Sequence, residues 1–286
     1  MSILVTLDIF SGRENPKFVL DDENERMLLS LVEADADKIR SNFQPAVLGY
    51  RGFHIDPIEE QDSAIPEILT ADLAPRRLFV HDSPEAERFL MRAATEFVLP
   101  GDLAEYARQE QARVFENPAT LRPQGDPKLL AVGCPPCYAV DAPAYNPGFW
   151  NTPARQPFNN CYNYANNRAT NTFAQPGRAT GKPITALSCG GVQPSAQSDG
   201  LKPAGNFSGK LNAGQGWYVA LVVAPGYDYH WYRQDTVGCW SHKPGQTAAR
   251  DTDNSGNKIA DPKTCNRGPY TSFCSYMVTG NWVKIQ

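Results

Sequence analysis

The sequence predicts an α+β fold in two chemically different parts, and three observations point to it. A short alternating apolar strand and three helical stretches lie in the first 118 residues. Aromatic and β-branched strand candidates separated by turn residues fill the second half. All seven cysteines also fall in that second half, at positions 134, 137, 161, 189, 239, 265 and 274.

Taken in order, Ile3, Val5, Leu7 and Ile9 alternate with Leu4, Thr6 and Asp8, the period of a strand. Ser11-Gly12-Arg13-Glu14-Asn15-Pro16 then reads as a turn. Asp21 or Asp22 can cap the helix that follows, acidic residues occupy its first turn, and Met27, Leu28, Leu31 and Val32 recur at helical spacing. Short strands are expected at 46–55 and 77–81. Ser83-Pro84-Glu85 opens a second helix running through Phe89, Leu90 and Ala93, and a third runs from Leu103 to Phe115. His54 and His81 stand alone in this part and read as structural. The whole is a small acidic α+β accessory domain, 1–118.

Nine prolines lie between 118 and 157, among them Pro135 and Pro136 in Cys134-Pro-Pro-Cys137, so no regular helix or central strand fits there. Residues 119–154 read as a Pro-rich linker and lead-in to a Cys-rich domain over 155–286. That domain opens on a helix at Asn159-Asn160-Cys161-Tyr162-Asn163-Tyr164-Ala165. Strand candidates follow at Gly216–Val223, Tyr227–Gln234 and Gly238–His242, and the short turns between them favour an antiparallel meander.

Composition excludes several classes. Hydrophobic residues make up 41% and charged ones 20%, with 25 Phe and Tyr and five Trp, which is too apolar for a disordered chain. No run approaches the roughly 18 apolar residues of a membrane helix, so no membrane span is expected. The net charge of −4 conceals −11 over 1–118 and +7 over 119–286, which gives the two parts complementary surfaces for intramolecular contact. No basic run or motif indicates nucleic acid.

Seven cysteines in a loop-rich region suggest a disulfide framework and an oxidising, extracytoplasmic destination. MSILVTLDIFSGRENPK lacks the features of a signal peptide, so an unconventional route out of the cell is expected, with a leader removed before this sequence begins or a reduced cytoplasmic chain as the alternatives. Three bridges would leave one free thiol, and chemistry nominates Cys161. A cap at Asn159 or Asn160 places Cys161 in the first helical turn, where unpaired N–H groups favour a thiolate. A nucleophilic cysteine also needs an imidazole base and a group to orient it. His230 lies on one strand candidate and His242 one hairpin later, so both imidazoles can share a sheet face.

This order of helix-opening Cys161, strand-borne His230 and His242 resembles the NlpC/P60 branch of the papain-like cysteine hydrolases, over residues 155–245. The resemblance implies a papain-like α+β domain, amidase or peptidase activity on a peptide or amide substrate such as a peptidoglycan fragment, and a Cys161–His230–His242 triad. No cofactor and no metal are implied. Asp253 and Asn254 are alternatives for the orienting role. Asp251-Thr-Asp-Asn-Ser-Gly256 carries faint calcium-loop character but lacks the closing Glu, so a solvated turn is the plainer reading. Cys134-x-x-Cys137 has no second pair to complete a zinc site.

His230-Trp-Tyr-Arg233 and Trp240-Ser-His-Lys-Pro-Gly245 also resemble a group of secreted proteins, some associated with extracellular matrix. The cysteine framework and the aromatic strands also support a competing reading, a non-catalytic, disulfide-stapled binding or matrix module whose Trp217, Trp231, Tyr232 and Trp240 contact a glycan or protein surface.

Overall fold

The computed structural model describes residues 2–39, 45, 47–58, 78–116 and 133–286. It has the expected α+β class. Two compact units emerge, one from residues 1–9, 15–44 and 50–118, the other from 10–14, 45–49 and 119–286.

In the first unit β1 (Ser2–Asp8) lies between β2 (Lys17–Val19) and β3 (Gly52–Ile58), and β4 (Leu78–Val80) closes an antiparallel sheet of order β2-β1-β3-β4. The alternation read from the sequence is realised, with Ile3, Val5 and Leu7 fully buried. The strand expected at 46–55 starts later because Gly49 and Gly52 adopt positive φ (100° and 128°), which interrupts extended backbone. At three residues, β2 is too short to carry a readable period. Three helices follow the expected pattern, and one short helix is additional. Helix α1 (Asp22–Ala34) is capped by Asp21, whose side chain accepts from the Asn24 amide at 2.9 Å, and a one-turn α2 (Ala36–Ile39) succeeds it. Helices α3 (Pro84–Phe97) and α4 (Gly101–Glu116) bury Phe89, Leu90, Ala93 and Ala104, Ala107, Val114 respectively.

Two buried polar groups anchor this unit. The Arg51 guanidinium donates to Asp8 Oδ1 at 2.6 Å, and His54 lies 3.4 Å from Asp8 Oδ2. Burial alone would raise the Asp8 carboxyl, but Arg51 and His54 outweigh it and hold that group well below the usual carboxylate range. Tyr50 donates to Glu87 Oε2 at 2.5 Å, and Gln111 bonds the Tyr50 hydroxyl. Here desolvation prevails and lifts Glu87 to about 7.

The second unit is built on a five-stranded antiparallel sheet of order β5-β9-β6-β7-β8. Its strands are β5 (Lys202–Ala204), β6 (Trp217–Ala224), β7 (Asp228–Gln234), β8 (Trp240–His242) and β9 (Ser272–Thr279). The meander β6-β7-β8 is the one its turn residues imply. Strand β9 pairs along β6, with a register shift at Leu221/Val222, and so becomes a central strand. Every residue of β6 and β7 is buried, so both faces of the sheet centre are covered. Helices α5 (Pro147–Trp150), α6 (Cys161–Ala165) and α7 (Cys189–Ser198) pack in the same unit.

Two disulfides tie peripheral chain to this sheet. Cys134–Cys239 secures the Pro-rich lead-in to the turn before β8, and Cys189–Cys274 secures α7 to β9. They close loops of 105 and 85 residues, each worth about 4 kcal/mol in the chain-entropy account. Cys137, Cys161 and Cys265 remain thiols, so there are two bridges and three thiols rather than three and one. The 10–14 loop is held by the buried Asp228 carboxylate, which accepts from the amides of Ser11 (2.6 Å) and Gly12 (3.2 Å) and from the Tyr270 hydroxyl (2.5 Å). Gly12 is required there, because a Cβ would lie 2.5 Å from Tyr229.

Candidate functional site

The residues singled out by sequence lie on opposite faces of β7. The helix of Cys161 packs against Trp231 and Arg233, whereas His230 faces Tyr232, Tyr270 and His242, so the expected nucleophile is not brought to its expected base. Asn160 is the cap of α6. Its side chain accepts from the Tyr162 and Asn163 amides (3.0 and 3.1 Å), and Asn163 returns the bond to the Asn160 amide. Cys161 is thereby the first helical residue. Its thiol is fully buried, and burial pushes it well above the ordinary thiol range. The Asp228 carboxylate pushes the same way, while the Trp231 amide and Lys243 pull weakly against them. A five-residue helix end does not offset complete desolvation, so this thiol is protonated at neutral pH.

His230 stands mid-strand on β7 and His242 ends β8 opposite Tyr232. The structure brings the two imidazoles together, with His230 Nε2 2.8 Å from His242 Nδ1. His242 Nε2 is 3.0 Å from the Thr252 carbonyl oxygen, which can only accept. That fixes the chain of donors: His242 donates from Nε2 to Thr252, and its Nδ1 accepts from His230 Nε2–H. The rings pack edge-on at 4.9 Å, and Tyr232 stacks on His242 at 4.9 Å. Exposure is 0% for Cys161, 0% for His230 and 1% for His242. Desolvation, reinforced by the Arg250 charge, pushes His242 down to about 3, so it is neutral over the physiological range.

The alternatives for the orienting role lie elsewhere. Asp253 Oδ1 accepts from the amides of Ser255 (2.9 Å) and Asn257 (3.0 Å), and its Oδ2 from that of Asn266 (3.0 Å). The Asn254 side chain bonds the Leu48 amide and carbonyl, both at 2.9 Å. Asp253 therefore spends its oxygens on backbone amides, as a tight turn does. Among the described residues no group of three His, Cys, Asp or Glu side chains converges on a point where an ion could sit.

Several residues that matter here carried no recognisable signal. Lys243 is buried and donates to three carbonyls, those of Gln156 (2.6 Å), Asn159 (2.5 Å) and Gly245 (2.7 Å), which fastens the segment leading into α6. Arg233 is buried against Asp235 (3.0 Å) and lies over the Tyr164 ring at 4.1 Å, and Tyr164 shares a 2.6 Å hydrogen bond with Ser241. Nearly every member of His230–Arg233 and Trp240–Gly245 is thus packed into the interior. The aromatic side chains expected at a binding surface, Trp217, Trp231, Tyr232 and Trp240, are buried too, because both faces of the sheet are covered.

Fold and site together define a disulfide-tied α+β protein in which Cys161 and the His230–His242 pair are buried on opposite faces of one sheet. The chain is 48% identical over 141 residues to insoluble matrix shell protein 1 of Ruditapes philippinarum, a match spanning 49% of this chain and 93% of that protein. The chain belongs to the family of that shell matrix protein. No family model matches it, and no solved structure does. The relationship overturns the expected function, a cysteine amidase or peptidase acting on cell-wall peptides, because the relative is named as a matrix component. The complete burial of Cys161, His230 and His242 accords with that correction.

Proposed function

We infer that the protein is a secreted, non-catalytic component of an extracellular matrix, a disulfide-stapled module of the kind its shell-matrix relative exemplifies. The observation that carries this reading is the 48% identity extending over 93% of that relative. Two further features support it. Both disulfides close long loops, as suits a protein that persists outside the cell. Among the described residues no helix is long and apolar enough to cross a membrane.

Within this reading the His230–His242 pair is a specificity element of the core, and its hydrogen bond fixes the register of β7 against β8. Cys161 fills the opposite face of β7, where Tyr162 packs on Trp231 and seats α6. The test is fractionation of the source tissue, with peptides of this chain quantified by mass spectrometry in the extracellular matrix residue left after salt and detergent extraction. Enrichment in that residue is expected. Recovery confined to the cytosolic extract would overturn the proposal.

A further inference from the structure

Among residues 133–286, every exposed charged side chain is a cation: Arg178, Lys182, Lys202, Lys210, Lys263 and Lys284. The carboxylates are withdrawn, with Asp199, Asp228, Asp235 and Asp253 buried and Asp141, Asp251 and Asp261 partly covered. The net charge of this part of the chain is therefore displayed almost wholly as positive charge, and one region concentrates it.

Asp199 and Gly200 form the hub of that region. The Asp199 carboxylate accepts from the Gly177 amide (2.7 Å) and the Thr180 hydroxyl (3.1 Å), which seats the loop carrying Arg178 and Lys182. Its carbonyl accepts from the Lys284 amide at 3.0 Å. The Gly200 carbonyl accepts from Trp282 Nε1 at 2.9 Å, and the Lys202 ammonium lies 4.6 Å from the centre of the indole. Arg168 donates to the Asn281 carbonyl at 2.6 Å. Lys202 thus stands against the Trp282 ring, Lys284 follows two residues on and Arg168 bonds the residue before it, while Lys182 rises from the loop tied to Asp199, next to Gly200. The Arg178 guanidinium on that loop donates to the Thr172 carbonyl at 3.2 Å.

Trp282 is 36% exposed yet rigidly held. Gly280 and Gly216 let the ring lie against the backbone, since a Cβ at either position would fall 2.2 or 2.7 Å from it. An aromatic edge kept in water at no ordering cost, with an ammonium about one sugar ring away, suits a ligand that is both cyclic and anionic. The cations rise from separate segments instead of converging on a cavity, which suits an extended chain better than a small anion. We propose that this Trp282-centred surface binds an acidic polysaccharide, with Lys202, Lys182 and Lys284 pairing its sulfate or carboxylate groups and the indole contacting a sugar ring. The proposal rests on this surface alone. A chain that binds such a polymer but is absent from the matrix fraction would sink only the matrix reading.

The test uses the full chain, with chondroitin sulfate, uncharged dextran and polyaspartate as probes in calorimetric titrations over a series of salt concentrations. Chondroitin sulfate is expected to bind and dextran not, with log affinity falling linearly against log salt. The double variant Lys182→Gln/Lys202→Gln alters only exposed side chains, so it folds, and it should lose roughly tenfold or more in affinity with a shallower salt slope. Trp282→Ala should weaken chondroitin sulfate binding more than polyaspartate binding. Absence of chondroitin sulfate binding at about 50 mM salt, or full affinity in the double variant, would overturn the proposal. Equal binding of polyaspartate together with indifference to Trp282→Ala would overturn it in favour of an acidic protein partner.

Discussion

Replacing His242 by Gln removes one titrating group from the buried pair while keeping an amide that can still donate to the Thr252 carbonyl. In the native chain the imidazole is pushed down to about 3, whereas in an unfolded chain it titrates near 6.5. As the pH falls below 6.5 the unfolded state takes up a proton that the folded state refuses. The stability tied to His242 is therefore complete above pH 6.5 and drains away as the pH falls towards 3. The slope approaches 1.4 kcal/mol per pH unit, about 2 kcal/mol between pH 6.5 and 4.5. Buried carboxylates, Asp228 among them, are raised and act in the opposite direction, so the readout is the difference between wild type and His242→Gln rather than either curve alone. All five tryptophans lie between Trp150 and Trp282, so urea unfolding followed by tryptophan fluorescence reports the second unit without the first. The difference in unfolding free energy should change by about 2 kcal/mol over that interval, with the wild type losing more. Parallel pH curves for the two proteins would refute the argument, because they would mean that His242 is solvated or protonated when folded.

Two further predictions concern other buried polar groups. Glu87, raised to about 7 chiefly by desolvation, contributes stability that is complete below about pH 4.5 and is lost as the pH rises through 7, so Glu87→Gln should gain about 3 kcal/mol on wild type between pH 4 and pH 8. Urea melts monitored by far-ultraviolet dichroism, which the helices α1, α3 and α4 dominate, check this, and a gain below about 1 kcal/mol would count against it. Lys243→Met keeps the aliphatic stem but strips three buried carbonyls of their donor, and should cost about 2–4 kcal/mol, a drop of roughly 5–10 °C in the fluorescence melting temperature. An unchanged melting temperature would show that water replaces the ammonium.

Local chemistry made much of this molecule legible from sequence. The period-2 run of β1, the Ser83-Pro84 start of α3 and the turn residues around β6, β7 and β8 each state their element within a few residues. The pairing of His230 with His242 was legible as well, because one hairpin on a sheet fixes which side chains are neighbours. Strand β9 escaped because its place beside β6 is set by a partner more than 50 residues away. Function was misread for a physical reason. A helix-capped cysteine and a histidine pair have the same spacing whether they line a cleft or fill a core, and burial and sheet face separate the two cases: Cys161 lies on the Trp231 side of β7 and His230 on the other. Depth misled in the other direction for the tryptophans, since Trp217, Trp231 and Trp240 fill the interior while Trp282 stands at the surface.

The most direct test of this account is the reactivity of the three thiols in the native chain towards a thiol-specific probe at neutral pH, mapped by mass spectrometry with time. Cys137 and Cys265 are partly accessible and should label first, Cys265 slowly because its thiol is pushed up to about 12. Cys161 should label only after denaturant is added. Rapid labelling of native Cys161 would contradict the account, because it would reveal an open, activated thiol where the structure places a closed core.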